Sequence, residues 1–529
     1  MTSMPRIDKV ILSAIKEQWL KFVTGMAQAL VIMTLFGLLY LVISNGLNYF
    51  WPQTISQVEY RTAQSDEFDQ KLHKVFAYSS NDKYLDELQG RVWLHLDTWA
   101  TARNRTQLLL SPGDVVSENS PEGLARIDFY DGRFMLAKPD SLLLRDEVLA
   151  LHRLSDLNKQ IISLLNDKNA LNAGELVSIN RAIAQLRLSD SPENAPALVS
   201  LNQKFDDIQV QLNTINQSLK QYQMLVKLAN SESIKIELQD IRLMSFPNDI
   251  NLWQKLMVFK DNLVLFLTED MRNANQAGGV FPAIFGTILM VFLMTIFVSP
   301  LGIMAAIYLT EYAPNNSVVS IIRLAVSNLA AVPSVVYGVF GLGFFVYQIG
   351  GNIDSLFYSD QLPTPTFGTP GLLWASLTMA LLTLPVVIVT TEEGLRRVPE
   401  GLRKASYSLG ATRYETIRRI VLPVASSSLM TGIILAIARA AGEVAPMLMV
   451  GAVKYAPALP VDGEFPFLHL ERQFMHLGVL IYDGAFHGQS TQQGAGIMFA
   501  ACLFLLSVVL LLNFVAITVR ARLQSRYGN

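Results

Sequence analysis

The chain has 529 residues, 51% hydrophobic and only 16% charged, where a soluble globular domain carries roughly 25% charge. A formal net charge of −2 offers no basic balance for nucleic acid, and a single cysteine, Cys502, excludes an intrachain disulfide. Much of such a chain must be solvated by something other than water, and its length exceeds one ordinary domain.

Residues 22–43 contain no charge, and a helix needs about 20 apolar residues to cross a hydrocarbon core. They predict a first transmembrane helix behind an N-terminal tail, 1–21, that carries Arg6, Lys9, Lys16 and Lys21. The apolar run is too long for a cleaved signal peptide, and no small-residue cleavage site follows, so it reads as an uncleaved anchor.

Residues 44–279 then form an excursion too long for a loop, since structureless loops beyond ~15 residues are uncommon. An α+β domain is expected. Ile127–Tyr130, Asp131-Gly132 and Arg133–Leu136 read as two strands joined by a tight two-residue turn. Ala150, Leu154, Leu157, Ile161, Leu164 and Leu171 follow a helical seam. Leu201, Phe205, Ile208, Leu212, Ile215, Leu219, Tyr222 and Val226 continue that spacing beyond a breaker at 190–196, which predicts an antiparallel helical hairpin. Ile234, Ile236 and Leu238 alternate with polar residues as a half-buried strand. No catalytic cluster and no metal-ligand spacing occurs here, and a structural or docking module is the expectation.

Residues 280–519 return to apolar sequence. Runs 280–309, 324–353 and 361–391 are uncharged, 424–450 is interrupted by Arg439 and Glu443, and 497–519 closes the series. The fold class predicted is an all-α membrane protein of six transmembrane helices, with the α+β domain inserted between helices 1 and 2. Lys and Arg crowd the N-terminal tail, the connection holding Arg396, Arg397, Arg403, Lys404, Arg413, Arg418 and Arg419, and the tail 520–529. They are missing from 350–370. The positive-inside rule then puts both termini and the loop 392–423 in the cytoplasm, and the inserted domain outside.

That loop is the most patterned part of the chain. Pro399 and Glu400 suit a helix start. Leu402, Ala405, Ser406 and Leu409 fall on one face, and Gly410 caps the helix. Thr412 and Glu415 form a capping box for a second helix running through Ile417, Ile420 and Val421 to Pro423. A partner protein can grip such an element, although an amphipathic loop lying on the membrane would share its basic charge.

In these residues the chain resembles the membrane subunits of ATP-binding-cassette importers. Their loop motif reads Glu-Ala-Ala, three residues, Gly, nine residues, Ile, one residue, Leu-Pro; here it is Lys404-Ala405-Ser406, Gly410, Ile420, Leu422 and Pro423. Lys404 and Ser406 depart from the pattern. The resemblance implies the type I importer permease fold, and docking of Leu402, Lys404, Ala405, Ser406, Leu409, Gly410, Ile420, Leu422 and Pro423 onto an ATPase. The chain has no glycine-rich phosphate loop ending in Gly-Lys-Ser or Gly-Lys-Thr. The motor, with its ATP and Mg, is then expected on another polypeptide, leaving this one without catalytic residues, metal or cofactor.

The fifth run reads Ala436-Ile437-Ala438-Arg439-Ala440-Ala441-Gly442-Glu443-Val444-Ala445-Pro446. An arginine at membrane depth costs roughly 2.5–3.5 kcal/mol on insertion scales and persists where it faces protein or water. Arg439 and Glu443, four apart, share a helical face, and Pro446 permits a kink. The arginine fork suits an oxyanion in a translocation pathway; a structural ion pair is the alternative.

This stretch is similar to the phosphate permeases of that importer class, the PstA type above all. Gly279–Thr287, Pro300–Ile303, Tyr308–Tyr312, Ala331–Gly341 and Thr390–Glu393 carry the likeness further. It implies a bacterial inner-membrane location among lipid, and three partners: a second, PstC-like permease, a pair of PstB-like ATPase subunits, and a periplasmic PstS-like phosphate-binding protein. An importer of another oxyanion, molybdate or sulfate, is the nearer rival. A membrane sensor is the farther one, against which stands the lack of any kinase, cyclase or methyl-accepting segment.

Overall fold

The computed structural model describes residues 6–61, 72–79, 92–96, 107–110, 114–131, 133–145, 147–188, 196–269, 271–272, 277–359, 363–463, 465–486 and 492–527. It divides into two compact units, one of Met1–Phe50, Leu265–Ala274 and Gly279–Asn529, the other of Trp51–Val264 and Asn275–Gly278.

In the first unit, six helices among the described residues are long and apolar enough to cross a membrane: Glu17–Asn48, Phe281–Tyr312, Ser334–Phe357, Leu372–Arg396, Arg413–Gly442 and Gly496–Arg522. We call them spans one to six. Span four is the centre of the bundle, with two thirds of its most apolar window buried, whereas span one presents Trp19, Phe22, Leu30, Met33 and Phe36 outward. Small residues let the neighbours close on span four. A Cβ on Gly302 would lie 2.6 Å from Val387 Cγ1, and one on Gly432 would lie 2.1 Å from Thr390 Oγ1.

Three boundaries differ from the sequence reading. The run 324–353 is not one helix: Ser317–Leu329 is a separate helix capped by Asn316 Oδ1, which accepts the Val319 N–H at 3.0 Å. Pro333 then holds an extended ψ of 136° and span three starts at Ser334, because the residue carrying the proline ring cannot continue the preceding turn. The helix predicted to stop at Pro423 runs on to Gly442. A wide π-turn, Ile417–Val421, precedes the proline and absorbs the backbone hydrogen bond that its ring removes. At the N-terminus, residue 22 does not mark a helix start: residues 6–21 are already helical, in one helix Arg6–Asn48.

The second unit holds two antiparallel sheets. The first orders β4 (Gln107–Leu110), β3 (Val92–Leu96), β2 (Leu72–Ser79), β1 (Ile55–Arg61) and β5 (Val115–Asn119). Val58, Ala77, Leu94 and Leu110 bury together on one of its faces. The second orders β10 (Ser233–Glu237), β9 (Tyr222–Lys227), β7 (Phe134–Leu144), β6 (Ala125–Phe129) and β11 (Ile241–Ser245), with β8 (Glu147–Leu149) on β7. Ile127, Met135, Leu142, Met224 and Val226 form its core with Leu157, Ile161 and Leu219 of the helices.

The predicted strand pair exists, one residue out of register. Asp128 pairs Phe134 and the Phe129 N–H bonds to Arg133 O at 2.9 Å, so the connection is longer than a two-residue turn. The Asp131 carboxylate accepts the Arg133 N–H at 2.9 Å and closes it; Gly132 lies outside the described residues. The helical seams also form: Leu154–Ala170, a π-turn Leu171–Leu176 and Val177–Leu188 pack on Pro196–Lys220 through Ile179, Ile208 and Leu212. The breaker at 190–195 lies outside the described residues.

Two ends of these seams were misread. Ala150 precedes a short 3-10 turn and is extended. Tyr222 and Val226 are strand, not helix, since a spacing of four puts residues on one face in either structure. Pairing of Leu142 with Met224 and of Pro139 with Val226 decides for the sheet. The predicted strand at 234–238 is β10, with Leu238 buried in the turn that follows it.

Candidate functional site

Arg439 lies in the last turn of span five, among Ala436, Ala440 and Ala441, all fully buried. The helix ends at Gly442. Glu443 is extended, φ −83° and ψ 136°, and a second helix, Ala445–Val450, begins two residues later. Arg439 and Glu443 therefore do not share a helical face, and Pro446 makes no kink. Pro446 occupies the opening turn of the new helix, where a missing N–H costs nothing. The close approach of Gly338, whose Cβ would meet Pro446 Cα at 2.8 Å, seats that turn against span three.

Across this break Arg439 Nε and Glu443 Oε1 stand 3.6 Å apart, with side chains 34% and 25% exposed. That is an ion pair without a hydrogen bond. The Nε atom is buried and has no hydrogen-bond partner among the described residues. A buried donor left open is costly, by about 1–3 kcal/mol. The bundle therefore keeps a directed positive fork at a discontinuity in a span.

At the opposite end of span five sits the helix–glycine–helix element. Its first helix, Glu400–Ser408, starts after Pro399. Gly410 ends it with φ +84°, a backbone conformation that L side chains adopt at a cost. Thr412 and Glu415 make the capping box in both directions: Thr412 Oγ1 accepts the Glu415 N–H at 3.3 Å, and Glu415 Oε2 accepts the Thr412 N–H at 3.0 Å. The second helix then enters the membrane as span five itself.

The matched residues separate into two groups. Leu409 is 89% exposed, Leu402 and Ala405 are exposed beside it, and Lys404 reaches outward to Glu400 at 3.1 Å. Gly410 is exposed at the bend. Ser406 does not share their face: it is buried, and its hydroxyl meets that of Thr416 at 2.8 Å, binding the two helices to each other. Ile420, Leu422 and Pro423 are half-buried where the element joins the bundle.

Sequence reasoning missed what ties this element down. Arg403, one residue before the matched motif, donates to Val398 O at 2.7 Å, to Leu395 O at 2.8 Å and to Glu311 Oε1 at 2.8 Å. Beside this joint, and tying the helix Ser317–Leu329 rather than the bent element, Arg323 pairs with Glu392 of span four at 2.8 Å and donates to Leu309 O of span two at 2.6 Å. Arg413 lies over the Tyr312 ring at 5.2 Å. The signal available was the placement of Glu311 and Glu392, each at the end of an otherwise uncharged run.

Six spans, a broken fifth helix and an exposed bent element at its start have the layout of a membrane transport permease. A family model described as a binding-protein-dependent transport system inner membrane component matches residues 298–528. The phosphate transport system permease protein PstA of Yersinia pestis is 35% identical over 263 residues, covering 49% of this chain and 79% of that one. A probable ABC transporter permease of Bacillus subtilis, YqgI, is 32% identical over 183 residues, 35% of this chain and 56% of that protein, so the chain spans little more than half of this relative's length. A solved structure, the inward-facing MetNI methionine ABC transporter, has 18% identity and a TM-score of 0.34, covering 46% of this chain and 95% of its own. The chain belongs to the binding-protein-dependent inner-membrane transport components, and within them to the PstA-type ABC permeases. It is a multi-pass inner-membrane protein.

Proposed function

We propose that the chain is the permease subunit of an ATP-driven phosphate importer, with a translocation site at Arg439 and Glu443. The observation that carries this reading is the open guanidinium: Arg439 Nε is buried, without a hydrogen-bond partner among the described residues, and 3.6 Å from Glu443. Arg403 and Arg323 also carry a buried Nε without a hydrogen-bond partner among the described residues, but each anchors its guanidinium through another nitrogen, to Glu311 at 2.8 Å and to Leu309 O at 2.6 Å, whereas the Arg439–Glu443 pair stays beyond hydrogen-bond distance. An arginine kept open offers its planar donors to a ligand, and phosphate oxygens match that fork. Glu443 either accepts a hydrogen bond from protonated phosphate or steadies Arg439 until substrate arrives. Any oxyanion would suit the arginine, sulfate and molybdate included; the name of the Yersinia relative supports phosphate.

In this reading the basic segments face the cytoplasm and the inserted domain, with its helical hairpin, faces the periplasm as a docking or structural module. A second permease completes the pore, a binding protein delivers phosphate, and a pair of ATPase subunits grips Leu402, Ala405, Leu409 and Gly410. Lys404, Ile420, Leu422 and Pro423 border that contact, and Ser406 holds the element in shape from within. Span five is the lever. From Arg413 to Arg439 runs a single helix of about 26 residues, roughly 39 Å at 1.5 Å per residue, so a push on the bent element arrives at the anion site without passing a loop.

The test is radiolabelled phosphate uptake by the assembled complex in proteoliposomes with internal ATP, wild type beside Arg439→Ala, with sulfate and molybdate as competitors. Uptake that ignores the competitors and falls at least tenfold in the variant supports substrate and site together. Unchanged uptake in the variant reduces Arg439 and Glu443 to a structural pair. Competition by sulfate or molybdate transfers the reading to that anion.

A further inference from the structure

We infer that Arg403 is the positioning residue that delivers movement of the exposed helix–glycine–helix element into spans two and four. This rests on the reading of the chain as a motor-driven permease and adds a route separate from the lever of span five.

Arg403 sits on Glu400–Ser408, the helix whose outer side presents Leu402 and Leu409, yet its own side chain turns inward and is only 16% exposed. Its three hydrogen bonds go to two different spans. Nη1 and Nη2 donate to the carbonyls of Val398 and Leu395 where span four ends, and Nη2 also donates to Glu311 at the end of span two. Glu311 is 7% exposed. Leu309, Leu395, Val398 and Val421 pack as one buried cluster around this joint.

The geometry suits transmission better than adhesion. The partners are main-chain carbonyls at a helix end and a buried carboxylate, all held by the bundle, so the fork cannot tilt without displacing both helix ends. A flexible surface pair would let the element slide, because exposed charges re-pair through water at little cost. Lysine at the same position has three donors on a single nitrogen in place of a planar fork, and cannot serve Val398 O and Glu311 from two separate atoms as Nη1 and Nη2 do.

Two variants separate transmission from folding. Arg403→Ala leaves Glu311 buried and unpaired, which alone harms the fold. The double change Arg403→Met with Glu311→Met removes both charges and keeps apolar volume, a replacement that buried ion pairs often tolerate. The full complex in nanodiscs is read for ATPase binding, for phosphate moved per ATP hydrolysed, and for the distance between spin labels at the exposed positions Ser408 and Tyr308. In the wild type, ATP binding is expected to leave the separation of the two labels unchanged, and a separation that changes there overturns the inference. The double variant is expected to bind the ATPase within about twofold of wild type, to move at least tenfold less phosphate per ATP, and to show a label separation that changes with ATP. Arg403→Lys should fall between the two. A double variant with wild-type coupling ratio and constant separation overturns the inference while leaving the permease reading intact. A wild-type complex that neither binds nor stimulates the ATPase overturns that reading, and this inference with it.

Discussion

Gly410 offers a substitution whose cost can be worked before it is measured. Its φ is +84°, and a Cβ built there meets nothing within 4 Å among the described residues. Any loss on substitution is therefore conformational, free of steric clash. Holding an L residue in the left-handed region costs about 1–2 kcal/mol, of which about 0.4–1 kcal/mol returns because alanine stiffens the unfolded chain. A net loss near 1 kcal/mol is about a fivefold rise in local opening. Asparagine tolerates this conformation and should lose less; valine, branched at Cβ, should lose more. The amides that report the effect are those of Gly410, bonded to Tyr407 O at 3.0 Å, and Ala411, bonded to Ser406 O at 3.2 Å. Hydrogen–deuterium exchange of the chain in nanodiscs, without any partner, should rank these amides Gly410, then Asn, Ala and Val from slowest to fastest, with Ala about fivefold above wild type. Equal exchange in all four proteins would refute the reasoning. Exchange faster in Asn than in Ala would show that side-chain size sets the turn.

Two further expectations concern the inserted domain. Met224 is fully buried and Tyr222 only partly so, hence Met224→Ala should cost about 2–5 kcal/mol and Tyr222→Ala distinctly less in denaturant unfolding; the reverse order would restore the helical reading of 222–226. Burial pushes the Asp131 carboxyl up, but hydrogen bonds and charge from Arg133 pull it further down, below its ordinary 3.8. A depressed carboxylate stabilises the fold fully above pH 3.8 and stops doing so as pH falls through its folded value. Asp131→Asn should therefore lower the melting temperature at pH 7, and the gap to wild type should close in acid. A gap that persists unchanged below pH 3 would assign the effect to the turn's hydrogen bonds rather than to charge.

Much of the membrane part was legible because hydropathy over twenty residues is a coarse signal that survives errors of a few positions. The bent element was legible in detail, since Pro399, Gly410 and the Thr412–Glu415 box each act locally on the backbone. What escaped was whatever depends on two distant segments meeting. Ser406 looked like a member of the outward face until Thr416 claimed it, ten residues on. The Arg403–Glu311 joint spans 92 positions, and no periodicity announces it. Span three was misplaced because an uncharged run shows no difference between a helix and a helix interrupted by Pro333. The strand β9 was lost to a spacing of four, which both helix and sheet satisfy. Of the candidate site, Arg439 stood out as a charge in apolar sequence. The break at Glu443 did not, because Gly-Glu-Val carries no stronger stop signal than Gly442 itself.

Leu409, bare to water at the tip of the bent element, also bears on how the chain is made. Covering a leucine is worth about 1.5–3 kcal/mol, and a copy synthesised without a companion has no way to cover this one. In the function proposed above an ATPase subunit would cover this side chain, so a copy without that partner would keep an apolar tip open to unwanted association.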